Sequence, residues 1–321
     1  MNSNNKEVNK KPPSKKSNTF TVPIALGEIN RNLTTTNSKL TKEEIINQAI
    51  QFHSEDNISE AKKCYEYCIN QDFDDPRVFS NYGTIIGSSG SLKEAEFYQR
   101  KAVKINPNSP EYHSNLGNTL KNIGKFEEAE ICTRKAIKLK PNFAHYHSNL
   151  GNILRNLGQF KGAEISFQKA IQLKPDFAEA YSNLAAVLKD WGRLKEAEIS
   201  LRKAIELKPN FAKAHSNLGG LLKEIGRLED SEISLRKAIK LNPNFAEAHY
   251  NMAHTLKGLK KLNNAISSFE NALNLNMDSN LCLAGIGEVL LRKGNYTEGL
   301  KKLQAGEGSI RFDLKHGLSI I

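Results

Sequence analysis

Between Pro76 and Ser279 one 34-residue unit is written six times without insertion or deletion. Pro107, Pro141, Pro175, Pro209 and Pro243 stand 34 apart, and so do Gly90, Gly124, Gly158, Gly192 and Gly226. Ala102, Ala136, Ala170, Ala204, Ala238 and Ala272 form a third column in the same register. A fixed period of this size marks a solenoid, in which each repeat buries its apolar face against its neighbours. Stacking of this kind removes the size limit that a single core would set on a chain of 321 residues.

Numbering the unit from Ala144 places Pro175 at position 32. The first helix is expected over positions 1 to 14 and stops at the position-15 glycine, which takes positive φ without steric cost. The second is expected over positions 18 to 31 and stops at the proline, which cannot continue a helix. Small residues stand at positions 8 (Gly151, Ala185, Gly219), 20 (Ala163, Ala197, Ser231) and 27. They let the helices approach, while Leu150, Leu154, Phe160 and Phe167 fill the space between them. These residues are core and are assigned no chemistry.

The run His147-Ser148-Asn149-Leu150-Gly151-Asn152-Ile153-Leu154, followed by Gly158, Ala163, Phe167, Ala170 and Pro175, resembles the tetratricopeptide repeat (TPR). The resemblance spans residues 42–306. The family's position-4 aromatic is here His or Tyr (His113, His147, Tyr181, His215, His249), and its position-11 Tyr is Leu. It implies an all-α fold, a right-handed α-solenoid of stacked TPR helix–turn–helix repeats. It does not name a partner, because function lives in sites carried by a fold.

Composition narrows the alternatives. The chain is 39% hydrophobic and 25% charged, and no apolar run approaches the ~18 residues of a membrane helix. The polar, basic N-terminus has no apolar core of a secretory signal. Cys64, Cys68, Cys132 and Cys282 lack CxxC spacing and nearby His partners, and read as reduced, packed thiols of a cytoplasmic protein. There is no phosphate-cradling glycine loop, nucleophile elbow or carboxylate pair outside the repeat register. The residues beyond the repeats, about 40 at one end and about 15 at the other, are too few for a catalytic domain. The expectation is therefore a non-enzyme with no cofactor and no metal.

The ends are less regular. Residues 1–41 read as a disordered basic tail. To Leu40 it holds seven basic and two acidic residues, which is +5 of the chain's +11. Within it Phe20–Leu26 is an apolar island, either docked over the first repeat or acting as a self-ligand of the groove. Residues 42–75 form a degenerate repeat that keeps Asn47, Ala49, Phe52, Ile58, Ala61, Tyr65 and Cys68 but lacks the Gly and Pro. Unit 246–279 has Lys260 for Gly and Met277 for Pro. From Asn280 an eighth unit reads as a worn repeat or capping pair, since Gly299 and Gly306 replace Ala and lower helix propensity. Residues 307–321 fit a short strand, a tail, a cap or the stub of a further domain.

At about 100° per residue, positions 3, 4, 7, 8, 10, 11 and 14 of the first helix share a packing arc, and positions 2, 5, 6, 9, 12 and 13 lie opposite. In unit 144–177 the opposite set is His145, Ser148, Asn149, Asn152, Arg155 and Asn156; in unit 110–143 it is Glu111, Ser114, Asn115, Asn118, Lys121 and Asn122. The TPR resemblance implies that this face lines a concave groove where partner peptides lie. Position 6 is an unbroken column, Asn81, Asn115, Asn149, Asn183, Asn217 and Asn251 in the regular units and Asn47 before them. A carboxamide has two donors and an acceptor, so it can bond both the N–H and the C=O of an extended peptide. The column resembles the asparagine ladder of O-GlcNAc transferase-type TPR proteins. The same amides can instead bond a neighbouring helix and hold the stack, and the sequence leaves both uses open.

Position 12 is basic: Lys121, Arg155, Lys189, Lys223 and Lys257. That column suits an acidic segment or a C-terminal carboxylate, or is simply solvated. With Arg77 and Lys213 the free arc of six units carries seven bases, against Glu111, Glu179, Asp190, Glu224 and Glu247. A net +2 (seven minus five) is a mixed surface, which argues against nucleic acid despite a pI near 9.3. The position-4 histidines come one per repeat, too far apart for a zinc site. The residues thus point to a scaffold or adaptor that binds a protein or peptide segment. Two other roles remain open, the targeting arm of a separate transferase or hydroxylase subunit and RNA binding through the tail and groove.

Overall fold

The computed structural model describes residues 40–307, 310–313 and 317–320. The expectations for residues 1–39, including the Phe20–Leu26 island, fall outside this set. The helices come in pairs: α1 (Lys42–Ser54) with α2 (Ile58–Asn70), α3 (Pro76–Ser88) with α4 (Leu92–Ile105), α5 (Pro110–Ile123) with α6 (Phe126–Leu139), and α7 (Ala144–Asn156) with α8 (Phe160–Leu173). They continue as α9 (Ala178–Asp190) with α10 (Leu194–Leu207), α11 (Ala212–Glu224) with α12 (Leu228–Leu241), α13 (Ala246–Gly258) with α14 (Leu262–Asn274), and α15 (Ser279–Arg292) with α16 (Tyr296–Glu307). The repeats build an all-α solenoid of helix pairs. Residues Ile310–Asp313 (β1) and Gly317–Ile320 (β2) then pair antiparallel.

The chain divides after Pro107 into two compact units. The first holds α1–α4 around Ile46, Tyr65, Cys68 and Val78. The second holds α5–α16. Its core has one cluster around Leu154, Phe167 and Leu188 and another around Leu235, Phe269 and Val289. Within this unit the two helices of a repeat pack on each other, the second packs on the first helix of the next repeat, and successive first helices also touch. The small position-8 residues set the approach within a pair. A Cβ added at Gly151 would stand 2.7 Å from the Phe167 ring. Burying a Phe or Leu side chain in this seam contributes about 1.5–3 kcal/mol.

Helix ends follow the punctuation. Gly90, Gly124, Gly158, Gly192, Gly226 and Gly294 all take φ between 71° and 96°. Asp56 and Lys260 adopt the same left-handed turn at φ 60° and 61° without being glycine. Where Pro stands at position 32, the residue before it is extended, as at Lys174 (φ −140°, ψ 89°). Where Pro is absent, a left-handed Asp72 or Asn276 stops the helix instead. The loops of the central repeats are closed by a lysine ammonium over a phenylalanine ring, Lys140 on Phe143 at 4.9 Å, Lys174 on Phe177 at 5.1 Å and Lys208 on Phe211 at 5.0 Å. In the last pair the two glycines sit at close approaches. A Cβ at Gly306 would lie 2.6 Å from the Asn280 carbonyl oxygen, and one at Gly299 would meet Leu291 at 2.8 Å. The two glycines thus let α16 close onto α15.

Candidate functional site

The face of the first helices differs from its sequence reading at one column. Position-5 serines Ser80, Ser114, Ser148, Ser182 and Ser216 are buried, where the helical period put them on the open arc. In the second unit the first helix of the next repeat lies against this side, so α5, α7, α9 and α11 each have a third packed surface. Serine suits the place, being small enough for the close approach and able to accept a hydrogen bond there.

The asparagine column is half-buried from Asn81 to Asn251, and Asn47 before it is exposed. Asn149 Nδ2 donates to Ser114 Oγ at 3.4 Å and Asn217 Nδ2 to Ser182 Oγ at 3.3 Å, each reaching back one repeat. Asn81 Nδ2 donates to Tyr65 Oη at 3.1 Å. These amide nitrogens tie the stack together. Asn115, Asn118 and Asn152 are likewise half-buried on this face.

The basic column is tied to neighbouring repeats in the same manner. Arg155 Nε meets Asp190 Oδ2 at 2.6 Å and Lys189 Nζ meets Glu224 Oε2 at 3.1 Å, a position-12 cation with the position-13 acid of the next repeat. Lys257 pairs with Glu288. Lys121 and Lys223 have no such acid, because position 13 of the following repeat is Asn156 or Gly258. Burial lowers both lysine pKa values, with Lys213 adding to the effect at Lys121, and Lys189 and Lys257 at Lys223. Lacking an acid, Lys223 Nζ donates to Asn251 Oδ1 at 3.2 Å. Ser216 Oγ, at the place where Ser114 and Ser182 accept from an asparagine, is buried without a hydrogen-bond partner.

These features converge. A cavity of about 230 Å³ is lined by Arg155, Lys189, Ser216, Asn217, Lys223 and Asn251, together with Gly220, Glu224 and Glu247. It brings together five residues named from the sequence, Arg155, Lys189, Asn217, Lys223 and Asn251. Asn81 belongs to the first compact unit, and Asn115, Asn118, Lys121, Asn149, Asn152, Asn183 and Lys257 lie along the same columns but do not line the cavity. Ser216 was missed, since a period alone cannot show which hydroxyl loses its partner. The position-4 histidines are structural: Nε2 of His147, His215 and His249 donates to the carbonyl of Pro141, Pro209 and Pro243 at 2.7, 3.0 and 2.9 Å.

Tetratricopeptide-repeat family models match residues 76–109, 110–143, 151–192, 178–211, 212–245 and 234–267. The chain belongs to the tetratricopeptide repeat family. No curated protein sequence matches it. Among solved structures it is similar to a tetratricopeptide repeat protein of Parabacteroides merdae ATCC 43184, with TM-score 0.64 and 16% identity over 78% of this chain and 98% of that one. It is also similar to a chain of the APC/C hetero-tetramer Cut9–Hcn1 (TM-score 0.62, 17% identity, 87% of this chain and 56% of that one). Pseudomonas aeruginosa pilF aligns at TM-score 0.55 and 20% identity over 62% of this chain and 93% of that one. At these identities the likeness shows the fold. TPR arrays are protein-interaction scaffolds that bind protein or peptide partners and are generally non-catalytic, and this chain is such an array. No helix among the described residues is long and apolar enough to cross a membrane.

Proposed function

We propose that this TPR protein is an adaptor that holds a peptide segment of a partner protein along the face of its first helices, seated at the cavity between Arg155 and Asn251. The observation that carries this reading is the break in the repeat-to-repeat bonding at that cavity. Gly258 supplies no acid, Lys223 takes the Asn251 carbonyl, and the Ser216 hydroxyl is left buried and unpartnered. A buried polar group without a partner costs about 1–3 kcal/mol, and a peptide carbonyl or carboxylate that accepts from it removes that cost. Asn217 Oδ1 accepts a peptide N–H beside it, and the ammonium of Lys223 favours an acidic or carboxy-terminal residue. The pairing of Arg155, Lys189 and Lys257 with acids leaves little free charge for a phosphate backbone, which supports a protein over a nucleic acid. We place the function in a cytoplasmic setting because the buried Cys64, Cys68 and Cys282 form no disulfide.

The test is affinity capture from native lysate with the wild-type chain and with Asn217, Lys223 and Asn251 all changed to Ala, circular dichroism establishing that both are folded. Loss of a defined set of proteins with the triple variant supports the site and names the partners. Capture of the same set by both sinks it and moves recognition to another surface.

A further inference from the structure

The second helices of the larger unit carry an apolar column that packing does not explain. Position 22 is Ile131, Ile165, Ile199 and Ile233 on α6, α8, α10 and α12, and these side chains are 70%, 57%, 68% and 66% exposed. Single exposed apolar residues are ordinary, but four in one register form a stripe. Isoleucine is also a poorer helix former than Ala, Glu or Lys, so the fold has no use for it at an open helical position. The column ends at α14, where Ser267 takes the place. Beside it Ile205, Leu218 and Ile233 wall a hollow of about 530 Å³ between α10 and α12, floored by α11.

The charge around the stripe selects its occupant. One turn beyond each isoleucine stands a lysine, Lys135, Lys169, Lys203 and Lys237. The glutamates one residue before the isoleucines are committed to arginines: Glu130 to Arg134, Glu164 to Arg193, and Glu198 to Arg202. A second copy of the chain would bring the same lysine row against itself, and the N-terminal tail carries a net +5 (seven bases minus two acids). Both are disfavoured by like charge. Successive repeats are about 10 Å apart, close to two turns of an α-helix at 5.4 Å each. An extended strand covers that span in about three residues, an odd number, so successive contacts would fall on opposite faces. We propose that α6, α8, α10 and α12 form a second protein-docking surface for an acidic amphipathic helix, which lays its apolar side along the isoleucines and sets one anchor in the Ile205–Leu218–Ile233 hollow.

The experiment uses the full chain and a fluorescent synthetic helix of about 21 residues, six turns, with Leu along one face and Glu elsewhere. Two counterparts carry Gln or Lys in place of Glu. The acidic helix is expected to bind saturably and at least about tenfold more tightly than the lysine version. Changing Ile131, Ile165, Ile199 and Ile233 together to Ala, which favours the helices, should weaken binding at least about tenfold without lowering the melting temperature. The triple change at Asn217, Lys223 and Asn251 should leave this binding intact, which separates the two faces. Equal binding by the fourfold variant, or by the lysine helix, overturns the proposal. So does co-sedimentation of the chain with phosphatidylserine vesicles that the fourfold change abolishes while the acidic helix fails to bind, which would make the stripe a membrane contact. A concentration-dependent dimer lost in the fourfold variant would make it a self-interface and also overturn the proposal.

Discussion

Asn251 shows how one residue farther along its own helix redirects a bonding pattern. Its counterpart Asn217 donates to a serine, whereas Asn251 turns its carbonyl to Lys223 because the chain has Gly258 where the two preceding repeats have Asp190 and Glu224. The same neighbourhood perturbs His254. Its ring lies 4.6 Å from Tyr250 and 5.0 Å from Phe269, and its Nε2 is buried without a partner. Burial first, then Lys257 and Lys223, pushes its pKa down from 6.5 to about 4. Between those two values the unfolded chain holds a proton that the folded one lacks. This group therefore makes stability fall as the pH drops through that window, and has no effect above it. His254→Gln has no such proton to lose. From about pH 7 to about pH 4.5 the urea midpoint of the wild type should fall further than that of the variant. Parallel loss in both proteins would show that His254 is free to protonate in the folded state.

At the level of the helix, the two irregular ends of unit 246–279 respond in opposite ways to being made regular. Lys260 holds a left-handed turn at φ 61°, a conformation that costs a non-glycine residue about 1–2 kcal/mol. Lys260→Gly should therefore stabilise the protein by about 1 kcal/mol in urea unfolding. Met277 stands at the position of the repeat proline, but its N–H donates to the Ala272 carbonyl at 3.0 Å behind left-handed Asn276. Met277→Pro removes that donor and restricts Asn276, so it should destabilise by about 1–3 kcal/mol although it matches the other repeats. A gain in stability would mean that the proline sets this helix end by itself. Such ends were legible because glycine and proline act through their own backbone, and the observed α7 and α8 differ from expectation by a residue at most. The buried serines were not legible, since the helical period describes one helix while the next repeat decides what covers it. For the same reason the columns of Asn149 and Arg155 could be read from the sequence, but their attachment to Ser114 and Asp190 could not. The isoleucine column was equally visible as a period, but only exposure separates it from core.

On the scale of the whole chain, a repeat protein is close to a sum of units and nearest-neighbour seams. Residues 178–211 are one full unit, α9 with α10. Their removal joins Phe177 to Ala212 in register, so that position 12 of the preceding unit, Arg155, meets Glu224 in place of Asp190, and position 6 of the following unit, Asn217, meets Ser148 in place of Ser182. Every bond of the seam has a like replacement. The shortened chain should keep the same helicity per residue and a single cooperative transition in its larger unit, with a melting temperature lower by only a few degrees (about 2–5 °C). It should also lose capture through the inner cavity, because Lys189 leaves with the deleted unit and the spacing between Arg155 and Asn251 shortens by one repeat. A collapse of helicity would show that the repeats are not interchangeable and that α9 and α10 hold the larger unit together by contacts beyond their neighbours. Retained helicity with retained capture would place recognition in the columns at large rather than in the cavity where Ser216 lacks its partner.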